Sequence, residues 1–181
     1  MNKFDEKQAT INSVAIFNED SNGNKYRYVL ERTWDNSKDK PMASVIMFNP
    51  SYADELRYDY TSMKIINYLI DKGECRGVYI LNLYPIIKAT REEVKGNIKE
   101  LGKIENNRYI TEKINNSSKV YLAWGSKDAN VTRIREVISI LKNKFKYGYV
   151  LTDKNQNAKH PSRCTIDNEI KKDLEELYKE I

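Results

Sequence analysis

The chain has little sulfur and almost no imidazole. Its 181 residues include two cysteines, Cys75 and Cys164, and one histidine, His160. Neither cysteine has a Cys or His neighbour at metal-ligand spacing, so no metal site is expected, and an iron–sulfur cluster held by thiolates from this chain alone is excluded. Long apolar runs are also lacking. No stretch approaches the ~20 residues that span a bilayer, so no membrane partner is expected. The first residues, MNKFDEKQATINS, hold no apolar signal region. With no disulfide framework either, the expected compartment is cytoplasmic. A P-loop and a G-x-G-x-x-G are both missing, which removes support for a nucleotide cofactor, and no other cofactor is expected. No internal repeat or low-complexity linker divides the chain. A single domain over 1–181 is the natural count, with 1–40 as an N-terminal hairpin extension and a monomer as the expected state.

What is present suits a globular protein with a polyanionic partner. Hydrophobic residues make up 40%, enough for one core. Thirteen tyrosines supply flat apolar faces with polar tips, on which bases can stack. Lys plus Arg number 31 against 26 Asp plus Glu, a net charge of +5. That permits nucleic acid without demanding it.

Periodicity predicts a hairpin first, with strands at Ser13–Phe17 and Lys25–Arg32 around the polar turn Asn18–Asn24. Short apolar runs then predict buried strands at Ala43–Phe48, Val78–Leu83, Val120–Trp124 and Tyr147–Leu151. Helical spacing predicts helices at Ser62–Lys72, Glu92–Ile114 and Val131–Leu141. A last helix is predicted from Asp167, with Ile170, Leu174 and Leu177 on one face. The alternation implies an α/β fold: a three-layer α/β/α sandwich around a mainly parallel four-stranded central sheet, plus the N-terminal β-hairpin. Such sheets bind ligands beyond the carboxyl ends of their strands.

Polar residues stand at each of those ends. Asn49-Pro50-Ser51 follows the first buried strand. Asn82 lies near the end of the second, Trp124-Gly125-Ser126 ends the third, and His160-Pro161-Ser162 follows the fourth beyond a polar loop. Each has an ordinary structural use as a turn, a brace or a core aromatic. Asn82 is the hardest to explain so, because an amide in a buried strand is unfavourable unless it finds partners.

Taken in order, these segments resemble the uracil-DNA glycosylase superfamily. Met47-Phe48-Asn49-Pro50-Ser51 is similar to its G-x-N-P-G form of the first motif, and Ile80-Leu81-Asn82 to its strand of the type L-L-L-N. Leu122-Ala123-Trp124-Gly125-Ser126 resembles its L-L-W-G-S strand, and His160-Pro161-Ser162 its H-P-S-P-L loop. The resemblance runs from about Ser44 onward. Asn49–Asp54 and Asp59–Thr61 also resemble an uncharacterised domain family carrying N-P-S-x-A-D and D-x-T, with members on mobile elements.

The superfamily resemblance implies DNA as partner and excision of a flipped uracil as activity. Asn82 would read the base, since one amide offers a donor to O4 and an acceptor to N3–H, a pattern that cytosine reverses. His160 would donate to O2, where negative charge develops as the bond breaks. Asn49 would hold the attacking water. Where one branch has Asp there, an amide orients water without taking its proton, so a slower enzyme is expected unless Asp54 or Asp59 supplies a carboxylate. Phe48 and Tyr60 are the favoured aromatic faces for the base. Ser51, Lys159, Ser162 and Arg163 are the expected DNA contacts. Arg163 and Cys164 replace Pro and Leu of the family's wedge. Competing readings are a non-catalytic DNA-binding protein of the same fold, a hydrolase of free nucleosides or nucleotides, and a structural protein of a mobile element.

Overall fold

Strand pairing carries the chain from an antiparallel edge, through a parallel middle, to a second antiparallel edge. A computed structural model describes residues 7–90, 93–94, 100–125, 130–156, 160–163 and 165–181. β1 (Asn12–Glu19) and β2 (Lys25–Thr33) form the hairpin. Its turn is closed by Asp20, whose Oδ1 accepts from the Asn22 and Asn24 backbone N–H groups, with Gly23 at φ 74°. β3 (Met42–Met47), β4 (Gly77–Asn82), β5 (Ser117–Leu122) and β6 (Tyr147–Thr152) run parallel to one another. β7 (Asn168–Asp173) pairs antiparallel with β6. The sheet order is β1-β2-β4-β3-β5-β6-β7.

This overturns the expected mainly parallel four-stranded sheet. Seven strands join in one mixed sheet, and three of its six pairings are antiparallel. The hairpin is no appendage: β2 lies against β4, with Leu30 opposite Ile80. The expected helix from Asp167 is corrected too. Residues 168–173 complete the sheet by covering the β6 edge, whose N–H and C=O groups would otherwise lack ladder partners. The helix start is instead Asp173, which accepts from the Glu175 and Glu176 N–H groups.

Four α-helices lie among the described residues: α1 (Tyr60–Lys72), α2 (Glu100–Asn115), α3 (Val131–Lys142) and α4 (Leu174–Glu180). Residues 92 and 95–99 of the expected Glu92–Ile114 helix lie outside the described residues. Alternation along the strands divides the core in two. On one face Tyr28, Ile46, Leu81 and Leu122 pack with Ile110, Ile138 and Leu174 of α2, α3 and α4. On the other, Val45, Met47, Val78 and Ile80 pack with Ile65, Ile66 and Leu69 of α1. Each such aliphatic side chain contributes roughly 1.5–3 kcal/mol on burial.

α1 begins at a strong cap and ends at a strong stop. Asp59 accepts from the Thr61 and Ser62 N–H groups at 2.7 and 2.9 Å. Gly73, at φ 66°, donates back to the Leu69 and Ile70 carbonyls. This fixes the path of the Asn49–Asp59 loop, which joins β3 to α1 across the same sheet face.

Candidate functional site

Asn82 ends β4 on the α1 face, because it shares strand parity with Val78 and Ile80. It is fully buried, and neither Oδ1 nor Nδ2 has a hydrogen-bond partner. An unsatisfied buried polar group costs about 1–3 kcal/mol. The backbone around it is held from the opposite face. Asn106 Nδ2 of α2 donates to the Asn82 carbonyl at 2.9 Å and the Leu83 carbonyl at 3.2 Å, and Arg133 Nε of α3 donates to the Leu83 carbonyl at 2.6 Å. Arg133 is itself held by Asn107 Oδ1 and Glu136 Oε2. Burial alone would raise the Glu136 carboxyl, but the Arg133 contact outweighs it and leaves it below its ordinary range.

Asn49 lies just past β3, where the ladder continues through Leu83 N–H to the Met47 carbonyl and Tyr84 N–H to the Phe48 carbonyl. Its Nδ2 donates to the Lys88 carbonyl at 2.9 Å and the Pro50 carbonyl at 3.1 Å. The amide orientation is therefore set, with Oδ1 left as the acceptor.

His160 begins the turn Pro161–Arg163, which packs on α1; Lys64 Nζ donates to the Pro161 carbonyl at 3.2 Å. His160 Nδ1 accepts from the Ser162 backbone N–H at 3.2 Å and lies 2.8 Å from Ser162 Oγ. A backbone N–H only donates, so the neutral ring carries its proton on Nε2. That is the tautomer a donor to a ligand oxygen requires.

The carboxylates weighed as water activators are committed to structure. Asp59 accepts from Ser51 Oγ at 2.5 Å and Ser62 Oγ at 3.0 Å besides the two N–H groups of its cap. Burial works to raise its carboxyl, but these bonds prevail and hold it below the usual carboxylate range. Asp54 Oδ1 accepts from the Leu56 and Arg57 N–H groups, and those bonds lower its carboxyl.

The aromatic and DNA-contact expectations divide. Phe48 belongs to the core of the other sheet face. It is 1% exposed, with its ring edge-on to Tyr84 at 5.2 Å, so it is corrected from base platform to core packing. Tyr60, at the start of α1, is 63% exposed, and Lys64 Nζ stands 4.2 Å from its ring centre. It thus adjoins the His160 turn through Lys64. Ser51 and Ser162 direct their hydroxyls to Asp59 and His160. Arg163 is exposed and donates its backbone N–H to the His160 carbonyl. Trp124 packs in the core and Gly125 turns the chain at φ 83°. Lys159, Ser126 and Cys164 lie outside the described residues.

Two buried arginines of β2 escaped the sequence reading. Arg27 Nη1 donates to the Ala53 carbonyl at 2.6 Å. Arg32 donates to the carbonyls of Asp54, Glu55 and Arg57, and the Tyr58 ring lies 4.5 Å from its guanidinium carbon. Both are fully buried. They hold the Ala53–Tyr58 loop over the sheet face that bears Asn82. The signal available was the two arginines on either side of the apolar run Tyr28–Leu30 in the strand KYRYVLERT. A groove of about 570 Å³ runs along the outer side of this loop, between it and the hairpin. Asn49, Asn82 and His160 do not line it.

Among the described residues, no group of three or more His, Cys, Asp and Glu side chains is placed to hold a metal ion. None of their helices is long and apolar enough to cross a membrane.

Fold and site together define a mixed-sheet α/β protein with a polar site at the carboxyl ends of its parallel strands. The family described as "Protein of unknown function (DUF1643)" matches residues 27–162, and the chain belongs to it. That span runs from the buried Arg27 to Ser162 and includes Asn49, Asn82 and His160. No curated protein and no solved structure matches.

Proposed function

We propose that this protein is a uracil-DNA glycosylase, acting in the cytoplasm without a cofactor. The observation that carries the reading is the Asn82 amide, buried with both polar atoms unpartnered at a parallel strand end. A flipped uracil supplies the two groups it lacks: O4 accepts from Nδ2, and N3–H donates to Oδ1. Cytosine presents the reverse pattern and leaves both unpaired. His160, with its proton on Nε2, donates to O2 as charge gathers there. Asn49 Oδ1 accepts a hydrogen bond from the attacking water. Tyr60 is the exposed aromatic face beside the His160 turn.

The chemistry balances as a hydrolysis. The C1′–N1 bond breaks with its electron pair going to the base, and water adds at C1′. The base takes up one proton. Since Asn49 takes no proton and Asp54 and Asp59 are engaged, water activation is weak. The rate falls below that of an aspartate-bearing site by about 10²–10⁴-fold, the usual contribution of a general base.

The test is a labelled oligonucleotide with one uracil, incubated with protein and then with alkali. Cleavage at uracil and none at cytosine is expected, with loss of about 10²–10³-fold in His160→Ala. His160→Gln, which keeps an N–H donor, is expected to retain more activity. Folded protein that binds the oligonucleotide and never cleaves it overturns the reading in favour of a non-catalytic DNA-binding module.

A further inference from the structure

Two aromatic rings stand at the surface where the first site loop meets α1. Tyr60, the first residue of α1, is 63% exposed, and Tyr52, in the loop before it, is 73% exposed. Their apolar bodies forgo the stabilisation that burial would bring. Asn82 is fully buried, so a base that meets its amide lies inside. The two outer rings are therefore placed for other bases than that one.

One cross-link brings the rings together. Ser51 Oγ donates to Asp59 at 2.5 Å, and Tyr52 and Tyr60 are the residues that follow these two. Lys64, one helical turn beyond Tyr60, ties the ring to the His160 turn. Its Nζ stands 4.2 Å from the Tyr60 ring centre and donates to the Pro161 carbonyl at 3.2 Å. The ammonium occupies one side of the ring. Arg163, exposed on the same turn, adds a second cation. Beyond Tyr52 the surface changes sign. The groove of about 570 Å³ that Tyr52 helps to line holds Glu19, Asp54 and Glu55, which outnumber Lys25 and Arg57 there. A phosphate chain is attracted on the Lys64 side and repelled on the groove side.

We propose that Tyr60 and Tyr52 form a stacking platform for the nucleotides next to the flipped one, with Lys64 and Arg163 facing their phosphates, so that single-stranded DNA is the form of substrate. This rests on the base-excision reading of the site. In a duplex each base already stacks on its neighbours and pairs across, so it offers no free face to a tyrosine. A single strand offers those faces, and each stacked base adds affinity without regard to sequence. Release of a base from a single strand also costs less. The footprint ends at Tyr52, where the groove carboxylates begin.

Fluorescence anisotropy tests this without requiring catalysis. The probe is a labelled oligodeoxythymidine of about ten nucleotides, free or paired with its complement, titrated with the full chain. The single strand is expected to bind at least about tenfold tighter than the duplex. Both rings are exposed, so their removal leaves the core intact. Tyr60→Leu should weaken single-strand binding by about five- to a hundredfold, and Tyr52→Leu should weaken it as well. Tyr60→Trp, which keeps a stacking face, should retain it. Lys64→Gln keeps a donor for the Pro161 carbonyl and should lower the salt slope by about 0.7; an unchanged slope overturns that contact. Equal affinity for the two forms, binding unchanged in either leucine variant, or a loss in Tyr60→Trp as large as in Tyr60→Leu overturns the platform. Tyrosine-dependent binding with no uracil released from any oligonucleotide leaves the platform standing and overturns the excision reading. Uracil released equally from both forms, and unaffected by Tyr60→Leu, does the reverse.

Discussion

Arg32 Nη2 donates to the Asp54 carbonyl at 2.6 Å, tying an early strand to the loop that covers the candidate site. The same guanidinium also bonds the Glu55 and Arg57 carbonyls at 3.1 and 3.2 Å. Arg32→Lys retains the charge and loses the planar fork, so at least one carbonyl loses its donor. The expected cost is about 2–4 kcal/mol, from hydrogen bonds to a charged group at roughly 1.5–3 kcal/mol each. Urea unfolding measures it. Proteolysis should show earlier cutting between residues 53 and 58. An unchanged midpoint would mean that the loop does not depend on Arg32.

Asn82→Leu separates function from stability. The native amide is buried without partners, so an apolar replacement relieves an unsatisfied donor and acceptor. Stability should stay level or rise by about 1–2 kcal/mol, while uracil release is lost. A variant that loses several kcal/mol instead would show the amide satisfied in the resting protein.

Asn49→Asp removes the donor that bonds the Lys88 and Pro50 carbonyls and sets a carboxylate against them. Stability should fall by about 1–3 kcal/mol. The gain in rate that a carboxylate at this position would bring in isolation should not appear. Faster uracil release at unchanged stability would contradict this geometry.

Asp59 should give the protein a specific acid sensitivity. Its folded carboxyl lies below the ordinary value of 3.8, since the bonds from Ser51, Ser62 and Thr61 outweigh the opposing effect of burial. A depressed folded pKa contributes stability that is complete above the unfolded value and lost as pH falls through the folded one. Asp59→Asn keeps an N-cap acceptor but does not titrate. The stability gap between wild type and variant should be largest near about pH 7 and narrow as pH falls below the ordinary value of 3.8. Urea midpoints across that range test it, and a constant gap would refute the assignment. Uracil release by the variant should remain within about tenfold of wild type, because Asp59 holds the helix rather than the water.

The four inner strands were legible because each is built on a short apolar run followed within a few residues by turn chemistry. The α1 start was legible to within two residues, as Asp59 precedes a helical pattern. β7 was not. Ile170, Leu174 and Leu177 fall at helical spacing, yet residues 168–173 pair with β6, because an uncovered strand edge outweighs a weak helical preference. Phe48 was misjudged because sequence nearness to Asn49 says nothing of parity. Adjacent residues in a strand point to opposite faces, so Phe48 faces the α2, α3 and α4 side.

The sequence by itself determined that Asn49, Asn82 and His160 would each stand at a strand end or in the loop beyond it, since short-range periodicity and turn chemistry set where strands stop. Only the tertiary structure decided what surrounds them. Strand order is a matter of long-range pairing, and the docking of β2 on β4 is invisible in local pattern. That docking buries Arg27 and Arg32, lays the loop over the sheet, and leaves the Asn82 amide and one edge of Arg27 without partners.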